Sequence, residues 1–264
     1  MVFKRLRDAF GAGAPSIVVI LNTPRTQPGG MLSGEARLKG GEFDAALDRI
    51  GLGLITFPGP ALTEGEEFAQ TRISGPLVVR QGEERAFEFQ VAVPWETPIS
   101  EIGGRHLPGM ALGVRAEVAT TTVVDQADPD LVAVRPLPSQ SRVLQAFARL
   151  GFPFKAAALQ TGGPDSGHRE LPFHQKIEFF PPSHHTGIVH GIELAFVPSF
   201  DGLDVVLEAD QLGGRLSSGA QRFRLTHEEA LRTDWPSVID RWLAGLAHHV
   251  RGVDRGPGRG RPVT

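Results

Sequence analysis

One helical segment, Ser139 to Gly151, stands between two β-patterned runs of similar length, and this constrains the fold more than any other feature of the chain. The first run is broken by Pro28-Gly29-Gly30, Gly40-Gly41, Pro58-Gly59-Pro60 and Gly103-Gly104. The second is broken by Gly162-Gly163-Pro164, Pro181-Pro182 and Gly213-Gly214. Between these breakers lie short apolar or alternating stretches, the pattern of packed antiparallel sheets. The expectation is a mostly β chain of two antiparallel β-sandwiches, spanning 1–137 and 138–251, with a basic, disordered tail at 252–264. Three helices complete it: a short N-terminal one, the linker helix and a C-terminal one.

The local patterns are specific. SIVVIL at Ser16 to Leu21 is a β-branched run, and Ala86 to Val93 places Phe87, Phe89, Val91 and Val93 on one face, with Glu88 and Gln90 on the other. Asp44 to Phe57 alternates from Ile50 to Leu54, while its opening residues also fit a helix. Further strands are expected at Phe68 to Ile73, Leu77 to Val79, Met110 to Thr120 and Leu131 to Val134, with a polar turn at Asp125 to Pro129. In the second half they fall at Phe154 to Leu159, His174 to Phe180, Gly187 to Val197, Leu203 to Glu208 and Gln221 to Leu225. Thr226 followed by Glu229 has the spacing of a capping box. Behind Trp235-Pro236-Ser237, the residues Val238, Ile239, Trp242, Leu243 and Leu246 form the apolar side of a helix.

Composition narrows the function. Cysteine is absent, which removes disulfides, thiolate metal sites and a cysteine nucleophile, and fits a cytoplasmic protein. A net charge of −3 supplies no general attraction to nucleic acid. No apolar run is long enough to span a membrane. Ser-Gly pairs occur, but none sits in a G-x-S-x-G elbow, and no Gly-rich loop carries a P-loop lysine. The chain therefore reads as a non-enzyme that requires no cofactor.

Two groups of residues remain as binding candidates. On a helix, Phe3, Leu6 and Phe10 share one stripe, flanked by Lys4, Arg5 and Arg7. Such a stripe suits docking on a sheet, a second subunit or an anionic membrane surface, with docking favoured because a ten-residue helix binds lipid weakly. His168, His174, His184, His185 and His190 crowd one stretch, and His184, His185 and His190 form a candidate metal set. Their spacing matches no known metal motif, so solvated surface is the ordinary explanation.

Five segments in order resemble the bacterial sporulation-control protein family, stage zero, type M. They are the N-terminal amphipathic segment; Pro28-Gly29 to Gly40-Gly41; Phe87 to Ile99 with Val93-Pro94-Trp95-Glu96-Thr97-Pro98-Ile99; Asp128 to Phe152; and Pro172-Phe173-His174-Gln175-Lys176-Ile177-Glu178-Phe179. The chain departs from that pattern at Trp95, in the His184-His185 loop and in the tail after Gly252. The resemblance implies an arrestin-like pair of sandwiches and a cytoplasmic regulatory or adaptor protein in developmental or stress control. It also implies protein partners, a homodimer among them, and no catalysis. A metal- or carbohydrate-binding protein using the His-rich loop is the alternative.

Overall fold

A computed structural model describes residues 4–5, 13–58, 65–120, 124–162, 170–183, 189–211 and 220–253. Among these residues strand exceeds helix, 55% to 16%, which places the chain in the mostly β class. The backbone divides into two units. The first comprises 1–137 and 157–175, and the second 138–156 and 176–264.

Two sheets build most of the first unit. In one, β1 (Lys4–Arg5), β2 (Ser16–Leu21), β4 (Met31–Lys39) and β9 (Glu84–Ala92) lie in the order β1-β2-β4-β9, all antiparallel. The other runs β3 (Arg25–Thr26), β14 (Asp130–Val134), β12 (Met110–Ala119), β6 (Arg49–Pro58), β7 (Glu66–Ser74), with β13 (Val124–Gln126) beside β12. The β3–β14 pair is parallel. Two small pairs, β5 (Ala45–Leu47) with β8 (Leu77–Val79) and β10 (Glu101–Ile102) with β11 (Arg105–His106), complete it.

Alternation explains how the sheets face each other. On β4, Leu32, Ala36 and Leu38 are buried while Met31, Arg37 and Lys39 are exposed; on β9, Phe89 and Val91 are buried between exposed Glu88, Gln90 and Ala92. These apolar rows meet Ile50, Leu52 and Leu54 of β6 and Leu112, Val114 and Val118 of β12, all buried. β2 lies close to β12 and β7 close to β9, so the core is sealed between the sheets. The opening of the Asp44 segment is strand β5, not helix. Its partner β8 supplies a ladder that local propensity could not foretell. The expected polar turn at Asp125 likewise contributes to strand β13, paired with β12.

The remaining described strands form one five-stranded sheet. Its order is β15 (Phe154–Thr161), β16 (Phe173–Phe179), β17 (Val189–Pro198), β18 (Gly202–Gln211), β19 (Gln221–Thr226). The chain passes between units within β15 and β16. Helices supply the other layer. In α1 (Pro138–Arg149), Val143, Leu144, Ala146 and Phe147 are buried. Phe147 stacks on Phe179 of β16 at 4.5 Å and meets Phe152 edge-on at 5.3 Å. Gly151, with φ of 78°, ends the turn that follows α1.

The α2 helix (His227–Arg232) begins with the expected capping box. Thr226 Oγ1 accepts from the Glu229 amide at 3.2 Å, and the Glu229 carboxylate accepts from the Thr226 amide at 2.8 Å. The Thr226 amide and the Thr226 hydroxyl, which also donates to that carboxylate at 3.0 Å, hold the Glu229 carboxyl below its usual range. Thr226→Ala is expected to lower stability by about 1 kcal/mol in urea unfolding, with serine at the same position restoring most of it. In α3 (Trp235–Val253), Trp235, Ile239, Leu243 and Leu246 form the buried side.

Candidate functional site

Three of the recurring segments meet in the first unit. Pro28-Gly29-Gly30 makes a tight turn in which Gly29 has φ of 68°, and a Cβ there would lie 2.5 Å from the Trp95 ring. Only glycine allows the indole to lie this close. The two segments are then stitched: the Val93 amide donates to the Gly30 carbonyl at 2.9 Å, and Thr97 closes a turn on Pro94.

The other face of the Pro94–Ile99 loop is held by two side chains that bind backbone. The Gln175 amide donates to the Ile99 carbonyl at 2.7 Å and accepts from the Ile99 amide at 3.0 Å, as a neighbouring strand would. The Glu96 carboxylate accepts from the backbone amides of Glu170 at 3.2 Å and Leu171 at 3.4 Å. Phe173 packs edge-on against Phe68 at 5.8 Å. Ser100 extends the junction by exchanging bonds with both backbone groups of Val134. Glu101, almost buried beside it, is paired with Arg25 at 3.1 Å.

A second polar constellation lies on the outer face of the β6–β12 sheet. Gly51 faces Glu117 across the ladder and Gly53 faces Arg115. The Glu117 side chain lies over Gly51, and a Cβ on Gly53 would fall on the Glu67 carboxylate, so the two glycines form a recessed floor. Glu117 is buried and accepts from Arg49 Nη2 at 2.8 Å and Nε at 3.2 Å. Arg115 lies 3.6 Å from Glu67, and its buried Nε has no hydrogen-bond partner among the described residues.

Burial raises the Glu67 pKa above its ordinary 4.5, the Glu117 charge adds to the rise, and Arg115 offsets it in part. A carboxyl whose proton is held more tightly in the folded state loses its stabilising effect as pH rises from about 4.5 through the raised value. Glu67→Gln does not ionise. Its stability relative to the parent should therefore improve over that rising window, in urea unfolding at a series of pH values. A constant difference from pH 4 to 8 would remove ionisation of Glu67 from the explanation.

Of the residues singled out from sequence, Lys4 and Arg5 form the short strand β1, extended along β2 rather than helical. Phe3, Leu6, Arg7 and Phe10 lie outside the described residues. His184 and His185 also lie outside them, and His190 is exposed on β17. His174 is buried on β16. Among the described residues, no three potential metal ligands converge. The Ser139 hydroxyl lies 2.9 Å from His227 Nδ1, and His227 Nε2 lies 2.9 Å from the Ser199 carbonyl. The carbonyl can only accept, so Nε2–H donates to it, and in the neutral imidazole Nδ1 accepts from the Ser139 hydroxyl. Ser139 is buried, so the pair ties α1 to α2.

The family model described as SpoOM protein matches residues 3–213. The chain belongs to the Spo0M family. Its match to the sporulation-control protein Spo0M of Bacillus subtilis is 28% identical over 216 residues, covering 79% of this chain and 80% of that one. The crystal structure of the Bacillus subtilis protein superposes with a TM-score of 0.73 and 25% identity, over 89% of this chain and 99% of the other. In this chain the segments that resemble the family hold structure: Gly29 lies beneath the chain's own Trp95, and Glu96 and Gln175 bind opposing backbone. No helix among the described residues is long and apolar enough to cross a membrane.

Proposed function

We propose that this Spo0M-family chain is a non-catalytic regulatory adaptor of sporulation or stress control, acting in the cytoplasm by binding protein partners through its β-sheet surfaces. The observation that carries this reading is family membership over most of the chain, together with a curated relative named as a sporulation-control protein. The polar constellations fit it. Glu117 and Arg49 neutralise each other, Glu96 and Gln175 bind backbone, and the Ser139–His227 pair joins helices. Each of these groups is engaged in holding structure. Partner recognition then falls to exposed faces and to the strands that end their sheets among the described residues, where strand addition occurs in other proteins.

The test is affinity capture of the untagged chain from its own cytoplasm at moderate salt, followed by reconstitution of the complex from purified components. A defined protein complex that re-forms from the two purified chains is the expected result. Failure of the full chain to retain any protein, with stoichiometric metal or sugar bound to it instead, would overturn the reading. Comparison with a chain lacking residues 1–10 tells whether the N-terminal segment takes part.

A further inference from the structure

Strand β9 ends its sheet, hydrogen-bonded to β4 alone among the described strands, with β7 of the other sheet close by. Its inward residues are consumed by the core, while Glu84, Glu88 and Gln90 point outward and are exposed. Across the ladder, Ser33 faces Gln90 and Glu35 faces Glu88. The two basic residues of the same β4 face are already engaged: Arg37 with Glu35 and Lys39 with Glu84. Glu88 has no ion-pair partner among the described residues, and its register sets it directly opposite another carboxylate. Such opposed like charges repel.

Beside that pair opens a cavity of about 450 Å³, lined by the side of the sheet that carries Asn22, Ser33, Glu35, Glu88 and Gln90. Asn22 donates its amide to Ser33 Oγ at 3.0 Å, and the Gln90 amide makes no hydrogen bond among the described residues. The walls are therefore rich in acceptors around an uncompensated negative charge. A donor-rich cation satisfies such walls, and an anion does not.

We infer that β9 takes up an extended segment of a partner protein as an added strand, with an arginine or lysine of that segment entering the cavity against Glu88. Backbone groups along β9 supply register, and the cavity selects the side chain at one alternate position. The cation relieves the repulsion between Glu35 and Glu88, so binding and the unfavourable pairing have one origin. This inference rests on the adaptor reading and names its surface and partner chemistry.

The probe is a capped pentapeptide, Thr-Val-Arg-Val-Thr, against its counterpart with glutamate in place of arginine, titrated into the full chain. Saturable, salt-weakened binding of the arginine peptide is expected, with slowed hydrogen exchange of β9 amides and loss of about tenfold or more in Glu88→Lys. In Glu88→Gln, binding should weaken while the thermal midpoint holds or rises, which excludes misfolding as the cause. Equal binding of both peptides, or an unchanged affinity in Glu88→Lys, would overturn the inference. Capture of a natural partner by Glu88→Lys as strongly as by the parent would overturn this edge and leave the adaptor reading standing. A self-association of the parent that Glu88→Lys abolishes would name a second copy as the occupant, against the partner segment argued here.

Discussion

Trp235→Ala is expected to lower the stability of the second unit by about 4 kcal/mol, the largest loss anticipated for any single substitution in that unit. The indole is 1% exposed, its Nε1 donates to the Ala230 carbonyl at 2.8 Å, and its ring takes Phe223 edge-on at 5.7 Å. Truncation removes the aromatic surface, opens a cavity and strips the hydrogen bond in one step. Hydrogen exchange on α2, α3 and β19 provides the measurement, since all three lose a packing partner. Trp235→Phe should recover most of the packing but not the hydrogen bond. A loss below about 1 kcal/mol in the alanine variant would show that this side chain is not central to the unit.

Arg49→Ala should lower the stability of the first unit by about 3 kcal/mol at neutral pH. Arg49 reaches in from a half-exposed position, whereas the Glu117 side chain is only 4% exposed and takes both of the guanidinium bonds. Without Arg49, a buried carboxylate remains beside a second one, Glu67. The double variant Arg49→Met, Glu117→Leu removes both charges and should regain most of the loss, because a buried pair contributes little beyond an apolar substitute. A double variant as unstable as the single one would place the effect in packing.

Much of the strand pattern was legible from residue alternation, because each strand carries a buried row and an exposed row of its own. β2 and β8 have the predicted limits, and β9 carries the Phe89–Val91 face expected of it. What escaped depends on pairing. Strand β5 is three residues long and exists through its ladder with β8, so its sequence alone reads equally as a helix start. Glu67 and Glu117 are fifty residues apart, and only the register of β6 with β7 and β12 brings them over one glycine floor. Gly51-x-Gly53 within an apolar strand was the available signal, since glycine inside a strand marks close approach. The family motifs were visible as words, but that Glu96 and Gln175 bind the backbone of other segments was not.

The junction at Ile99 has an evolutionary consequence. Gln175 and Glu96 both grip main-chain atoms, so the bonds they make are blind to the side chains of the residues they hold. Information is stored on one side of each contact only. Position 170 is free to drift as far as the Glu96 bond is concerned, whereas positions 96 and 175 are not. Compensating pairs of changes should therefore be rare at this joint, and a comparison of distant relatives would find two fixed letters facing variable ones rather than two that change together.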